Sequence, residues 1–74
     1  MMNKSSEQDL CIEFLIGEIV SIICEEKKIP TLEAYELFYK TDISKKIEDI
    51  ETGYYLEGAA YMYELVKKEL KEKE

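Results

Sequence analysis

The chain has no histidine, no tryptophan and no arginine, and only one proline and three glycines among its 74 residues. Histidine is the side chain that most often acts as a general base or metal ligand, and a serine or cysteine nucleophile usually depends on it. We therefore expect a protein that is not an enzyme and that holds no cofactor or metal. The hydrophobic content of 46% argues against a disordered chain.

The charged residues are mostly acidic, with 17 Asp and Glu against 10 lysines and a net charge of −7. Proteins that bind nucleic acid or anionic membranes need a basic face. We therefore expect neither kind of partner. Residues 1–26 contain six acidic side chains and one lysine, so most of the excess negative charge belongs to the first part of the chain.

The sequence indicates a cytoplasmic protein. The apolar run at residues 10–24 follows acidic residues rather than a basic segment, and Glu13 and Glu18 interrupt it, which is untypical of a signal peptide or a membrane span. On one helix Cys11 and Cys24 would lie roughly 20 Å apart, too far for a disulfide. We expect two buried, reduced thiols. Lysine without arginine is typical of AT-rich bacterial genomes.

Four stretches repeat apolar residues every three to four positions and therefore predict helices. Pro30 separates the first two, Thr31 is the expected N-cap of the second, and Gly53 suits the turn before the last. The predicted helices span residues 5 or 6 to 26–28, 31–40, 41–50 and 57 or 58 to 72. These elements predict an all-α fold, a compact bundle of three to four helices, in a single domain over residues 1–74 whose ends at 1–6 and 72–74 are frayed.

The first helix is apolar around about half of its circumference, more than the stripe of about 100° that a surface helix needs. Leu10 and Phe14 lie opposite this wide arc, in line with Gly17 and Ser21. We expect this second side to contact another subunit, the alternative being a helix of the same chain. On the second helix one broad face is expected to enter the core, formed by Leu32, Ala34, Tyr35, Phe38 and Tyr39.

Six tyrosines are present, and three of them lie near the predicted turn or on a polar flank: Tyr54, Tyr55 and Tyr61. Tyrosine is enriched at protein interfaces because it joins a large apolar ring to a polar hydroxyl. These three are therefore candidates for an interface, and ordinary packing with exposed hydroxyls is the alternative.

Three acidic residues cluster before the turn, Glu48, Asp49 and Glu51. Such a cluster could hold a divalent cation, but the alternating oxygen ligands of a calcium loop are absent and Lys45 and Lys46 lie alongside. The pattern favours a solvated acidic helix end.

Three segments between Glu33 and Leu70 resemble a family of short bacterial helical proteins of undefined function. They are Glu-Ala-Tyr-Glu-Leu-Phe-Tyr-Lys at 33–40, Glu-Thr-Gly-Tyr-Tyr-Leu at 51–56 and Tyr-Met-Tyr-Glu-Leu at 61–65. Members of that family tend to be encoded beside toxin-like enzymes. The resemblance, which covers about half of the chain, implies an accessory or antitoxin-like role and assigns no functional residues.

The sequence thus predicts a non-enzymatic protein–protein interaction module that self-associates. The alternative is an antitoxin-like inhibitor whose acidic surface binds a basic partner protein. The two hypotheses differ in salt dependence, because attraction between opposite charges is screened by salt and apolar self-association is not.

We predict a homodimer at micromolar concentration, formed through Leu10, Phe14, Gly17 and Ser21 and little affected by salt. The substitution Phe14→Glu would bury an unpaired charge in this contact and should release monomer. Analytical ultracentrifugation measures both states, and a wild-type monomer at high concentration would contradict the prediction.

Overall fold

The fold is all-α, as the periodicity predicts. The computed structural model describes residues 6–72, with side chains from residue 9 onward, and no strand occurs among them. In chain order the elements are α1 (Ser6–Lys27), α2 (Thr31–Tyr39), α3 (Asp42–Glu48), two 3-10 turns (Ile50–Thr52 and Tyr54–Leu56) and α4 (Ala59–Glu72). The predicted fraying falls almost wholly outside the described residues. The two exceptions, Ser6 and Glu72, are the first residue of α1 and the last of α4.

Helix α1 is the centre of the bundle, and α2, α4 and the second 3-10 turn all pack against it. Its wide apolar arc is buried, and Ile19 and Ile23 have no exposed surface. The other helices add their own buried side chains to this core: Ala34 and Phe38 from α2, Ile47 from α3, and Met62, Tyr63 and Val66 from α4. The hydrophobic core therefore lies on one side of α1.

Helix α2 runs antiparallel to α1 after a tight connection. Lys28 adopts a left-handed backbone with φ 55°, and Pro30 is extended at φ −65° and ψ 157°. The prediction that Thr31 caps α2 is wrong. Pro30 holds the N-cap position because its extended backbone directs its carbonyl oxygen at the N–H of Ala34, 3.0 Å away. Thr31 is the first helical residue, and its hydroxyl oxygen lies 3.8 Å from the thiol of Cys24, which donates to it.

Helix α3 has only seven residues, and contacts at its N-terminus hold it in place. The buried hydroxyl of Thr41 accepts from the N–H of Ser44 at 3.2 Å and donates to the carbonyl oxygen of Phe38 at 2.6 Å. The carboxylate of Glu69 on α4 accepts from the N–H groups of Asp42 and Ile43. These bonds satisfy helix-end donors that have no intrahelical partner.

The turn after α3 forms as predicted at Gly53, which has φ 72°. The third helix is shorter than expected, because the backbone of Asp49 is extended and interrupts it after Glu48. Ile50 consequently lies in a 3-10 turn and is 38% exposed, whereas the sequence predicted that the helix continues to residue 50.

The expectation of two buried thiols is also wrong. Cys11 is exposed and Cys24 is half-buried. The neighbouring helices cover the part of the α1 circumference that extends from Leu15 to Val20. Cys11 lies outside that part and therefore reaches solvent.

We predict that Ile19→Ala lowers the free energy of unfolding by roughly 2–5 kcal/mol, because it removes buried methyl groups and leaves a cavity in the core. Chemical denaturation measures the change. Leu10→Ala on the same helix is the matched control, and because Leu10 is 66% exposed its effect should stay within about 0.5 kcal/mol. Equal effects of the two substitutions would contradict the assignment of the core.

Candidate protein-binding surface

The side of α1 opposite the core is open. Leu10 is 66% exposed and Phe14 is 70% exposed. Phe14, Gly17 and Ser21 line a shallow groove together with Glu13 and Glu18. A Cβ atom placed on Gly17 would meet no atom within 4 Å. No described helix covers this side, so the alternative that a helix of the same chain packs here is wrong.

The outer flank of α2 is also apolar and exposed, which differs from the sequence prediction. Leu32 is 74% exposed and Tyr39 is 46% exposed, whereas both were expected in the core. Helix α2 buries only the line through Ala34 and Phe38, so residues on either side of that line reach solvent. Tyr35 is half-buried and stacks on Tyr39, with ring centroids 6.2 Å apart and an interplanar angle of 14°.

The two apolar areas are joined by a groove between α1 and α2. Ile12 and Ile16 from α1 and Tyr39 from α2 line this groove together with three acidic residues, Asp9, Glu13 and Glu48. Glu13 also borders the groove at Phe14, and Tyr39 also lines the recess beside Leu32. The three recesses therefore adjoin and form one surface that contains both apolar and acidic side chains. We call it the α1–α2 face, and its residues are Leu10, Phe14, Gly17, Ser21, Leu32, Tyr35 and Tyr39.

Acidic side chains dominate the margin of the α1–α2 face. Five of them line its grooves and one lysine accompanies them: Asp9, Glu13, Glu18, Glu36, Glu48 and Lys40. These acidic side chains affect the pKa of Tyr39. Burial raises this pKa above its ordinary value, and Glu48, Tyr35 and Glu13 raise it further because the negative charge of each ionised group disfavours the phenolate of Tyr39.

The three tyrosines that the sequence suggested for an interface do not line the grooves of this face. Tyr54 and Tyr55 are half-buried and pack against the core, because the second 3-10 turn lies on α1 and α3. Tyr61 lies on α4 and is 57% exposed. Tyr61 therefore lies on a different helix from the α1 candidates, and the core partly covers Tyr54 and Tyr55; a role of the three in an interface stays a prediction.

The acidic cluster before the turn shapes the backbone locally. The carboxylate of Asp49 accepts from the N–H of Glu51 at 3.1 Å. Within residues 6–72, no group of three or more acidic or cysteine side chains is arranged to hold a metal ion. Glu48 instead contributes to the margin of the α1–α2 face.

Lysines gather at a cleft between the C-terminal parts of α1 and α4. The floor of the cleft is apolar and its margin is basic, with Ile23, Tyr63, Leu70, Lys27, Lys67 and Lys71 as its lining residues. The hydroxyl of Tyr63 donates to Glu26 at 3.1 Å, and the Lys67 Nζ lies 5.9 Å from the centroid of the Tyr63 ring. Sequence reasoning missed this cleft, although the spacing of Lys67 and Lys71 places both on one side of α4.

The chain matches no protein-family model, no curated protein and no solved structure in the comparisons made with each. Within residues 6–72, none of the helices combines the length and the apolar character that crossing a bilayer requires.

We predict that Glu13→Gln and Glu48→Gln each lower the pKa of Tyr39, because each removes a negative charge that disfavours the phenolate. In the wild type this tyrosine should ionise above the ordinary value of about 10. The near-ultraviolet absorbance of the phenolate, compared between each protein and its Tyr39→Phe counterpart, gives the midpoint. Glu57→Gln, which removes a charge that does not contribute to the raised pKa of Tyr39, should leave it unchanged, and an equal shift in this control would contradict the placement of Tyr39.

Proposed function

We propose that the chain is a non-enzymatic protein-interaction module that binds another protein chain through the α1–α2 face. The observation that carries this proposal is the exposure of large apolar side chains on two adjoining areas, Leu10 and Phe14 on α1 and Leu32 and Tyr39 on α2. Exposing large apolar side chains together is unfavourable in water, and such patches on small proteins are usually sites of contact.

The composition of the face also fits a binding role. Aromatic side chains bring large contact areas with few rotatable bonds, and Tyr is among the residues enriched where binding energy concentrates. Gly17 and Ser21 leave room for close approach because they have little or no side chain. Charged residues surround this apolar centre, which is the usual arrangement of an interface.

A second, narrower candidate is an antitoxin-like inhibitor that covers a basic surface of its target. The observation that favours it is the acidic margin at Asp9, Glu13, Glu18, Glu36 and Glu48. Acidic side chains around an apolar centre would guide the chain to a basic site and then hold it there by apolar contact.

Site-specific photo-crosslinking in the organism that encodes the chain tests the proposal. A photoreactive phenylalanine analogue replaces Phe14 in one variant and Tyr61, an exposed aromatic residue on α4, in the control. We expect a discrete covalent product from position 14 only. A product of twice the 8.7 kDa of the chain would identify a second copy, and any other mass a different protein. The absence of a product at position 14 would refute the proposed function.

A further inference from the structure

We infer that the occupant of the α1–α2 face is an amphipathic helix of another protein, with an apolar stripe flanked by lysine or arginine. This inference rests on the proposed function and adds the chemistry of the partner. It follows from three observations, namely the shape of the groove, the charge at its margin and the poor fit of a second copy.

The shape of the face suits a helix. The recess at Phe14 runs along α1 past the small residues Gly17 and Ser21, with Glu13 and Glu18 at its two edges. A shallow apolar recess of this kind accepts the apolar side of another helix, whose side chains at positions i, i+3, i+4 and i+7 enter it. The exposed ring of Phe14 would contact that apolar stripe.

The charge at the margin selects the flanks of the partner helix. The grooves of the face are lined by five carboxylates and one lysine, so an acidic or neutral helix would gain no attraction there. Lysine and arginine side chains on the two flanks of the apolar stripe would reach Glu13 at one edge of the Phe14 recess and Glu18 at the other. Such complementarity increases the association rate and rejects partners of the wrong charge.

The sequence alone favours a second copy of this chain at Leu10 and Phe14, but the charge of the α1–α2 face disfavours that homodimer as the occupant. In a symmetric dimer the same patch meets itself, so Glu13 and Glu18 of one copy would approach the acidic margin of the other. In a head-to-tail contact the lysines of one copy would meet the acids of the next. Five of those lysines, however, line two other recesses, Lys27, Lys67 and Lys71 beside Leu70 and Lys46 and Lys68 beside Leu65. Two concave surfaces leave the groove unfilled.

The test uses the full chain and a synthetic helical peptide of about 18 residues, with a leucine stripe, lysine flanks and one tryptophan in the stripe. A matched peptide carries glutamate in place of lysine. Because the chain has no tryptophan, the emission of the peptide reports its burial without background. We expect the lysine peptide to bind with a blue shift and with an affinity that falls as salt rises, and the glutamate peptide not to bind.

Two matched pairs of substitutions locate the binding. Glu13→Gln with Glu18→Gln should weaken the affinity for the lysine peptide by about three- to tenfold. Glu57→Gln with Glu64→Gln removes the same charge from exposed positions off the face and should leave the affinity unchanged. Phe14→Ser should weaken the affinity for the lysine peptide by about tenfold or more. Leu56→Ser is its matched control, because Leu56 is as exposed as Phe14, and it should leave the affinity unchanged. Circular dichroism verifies that each variant is folded.

Distinct results would overturn the inference and the proposed function. Equal weakening by both glutamine pairs would show attraction to net charge alone and would overturn the inference. A wild-type dimer in sedimentation that Phe14→Ser dissociates would make a second copy the occupant. Failure of the lysine peptide to bind, with a crosslinked product still formed at position 14, would reject the basic helix and retain the interaction module. Failure of both peptide binding and crosslinking would reject both.

Discussion

The burial of one wide apolar arc on α1 is the interaction on which the rest of the structure depends. Helices α2 and α3 have nine and seven residues, and isolated helices of this length are not stable in water. They persist because Phe38 and Ile47 insert into the core beside Ile19 and Ile23. Capping contacts fix their ends but supply much less stabilisation than burial of these side chains.

The same constraint leaves the opposite side of α1 uncovered. Helix α1 has 22 residues and is about 33 Å long, and α2 and α4 pack against one side of it. Their buried side chains all belong to the core on that side. Leu10 and Phe14 are therefore exposed in the part of the chain that the structure describes.

The sequence predicted the helices well and the edges of the core less well. Periodicity gave the bounds of α1 and α4 to within one or two residues, because both are long enough to repeat the pattern several times. Leu32, Tyr39 and Cys11 were placed wrongly for a common reason. A helical wheel shows how wide an apolar face is, but the packed neighbour decides how much of that width is covered.

Contacts between residues that are far apart in the chain could not be predicted from the sequence, and the reason is a different one. Glu69 reaches the start of α3 across 26 and 27 positions, and no local pattern indicates such a bond. For the candidate site, the sequence predicted the residues on α1 but not those on α2. The exposed residues of α1 follow from the helical wheel. Which residues of α2 are exposed depends on how α2 is rotated against α1, and only the packed bundle determines that rotation.

The acidic margin of the α1–α2 face is not explained by the stability of the fold. Acidic residues stabilise the first turn of a helix and lysines the last, but this effect fades within one turn. Asp9 and Lys27 fit that rule, whereas Glu13 and Glu18 lie in the middle of α1 and gain nothing from it. Several carboxylates on one face also repel one another and slightly destabilise the folded chain. Their position around exposed apolar side chains fits the proposed partner helix with basic flanks.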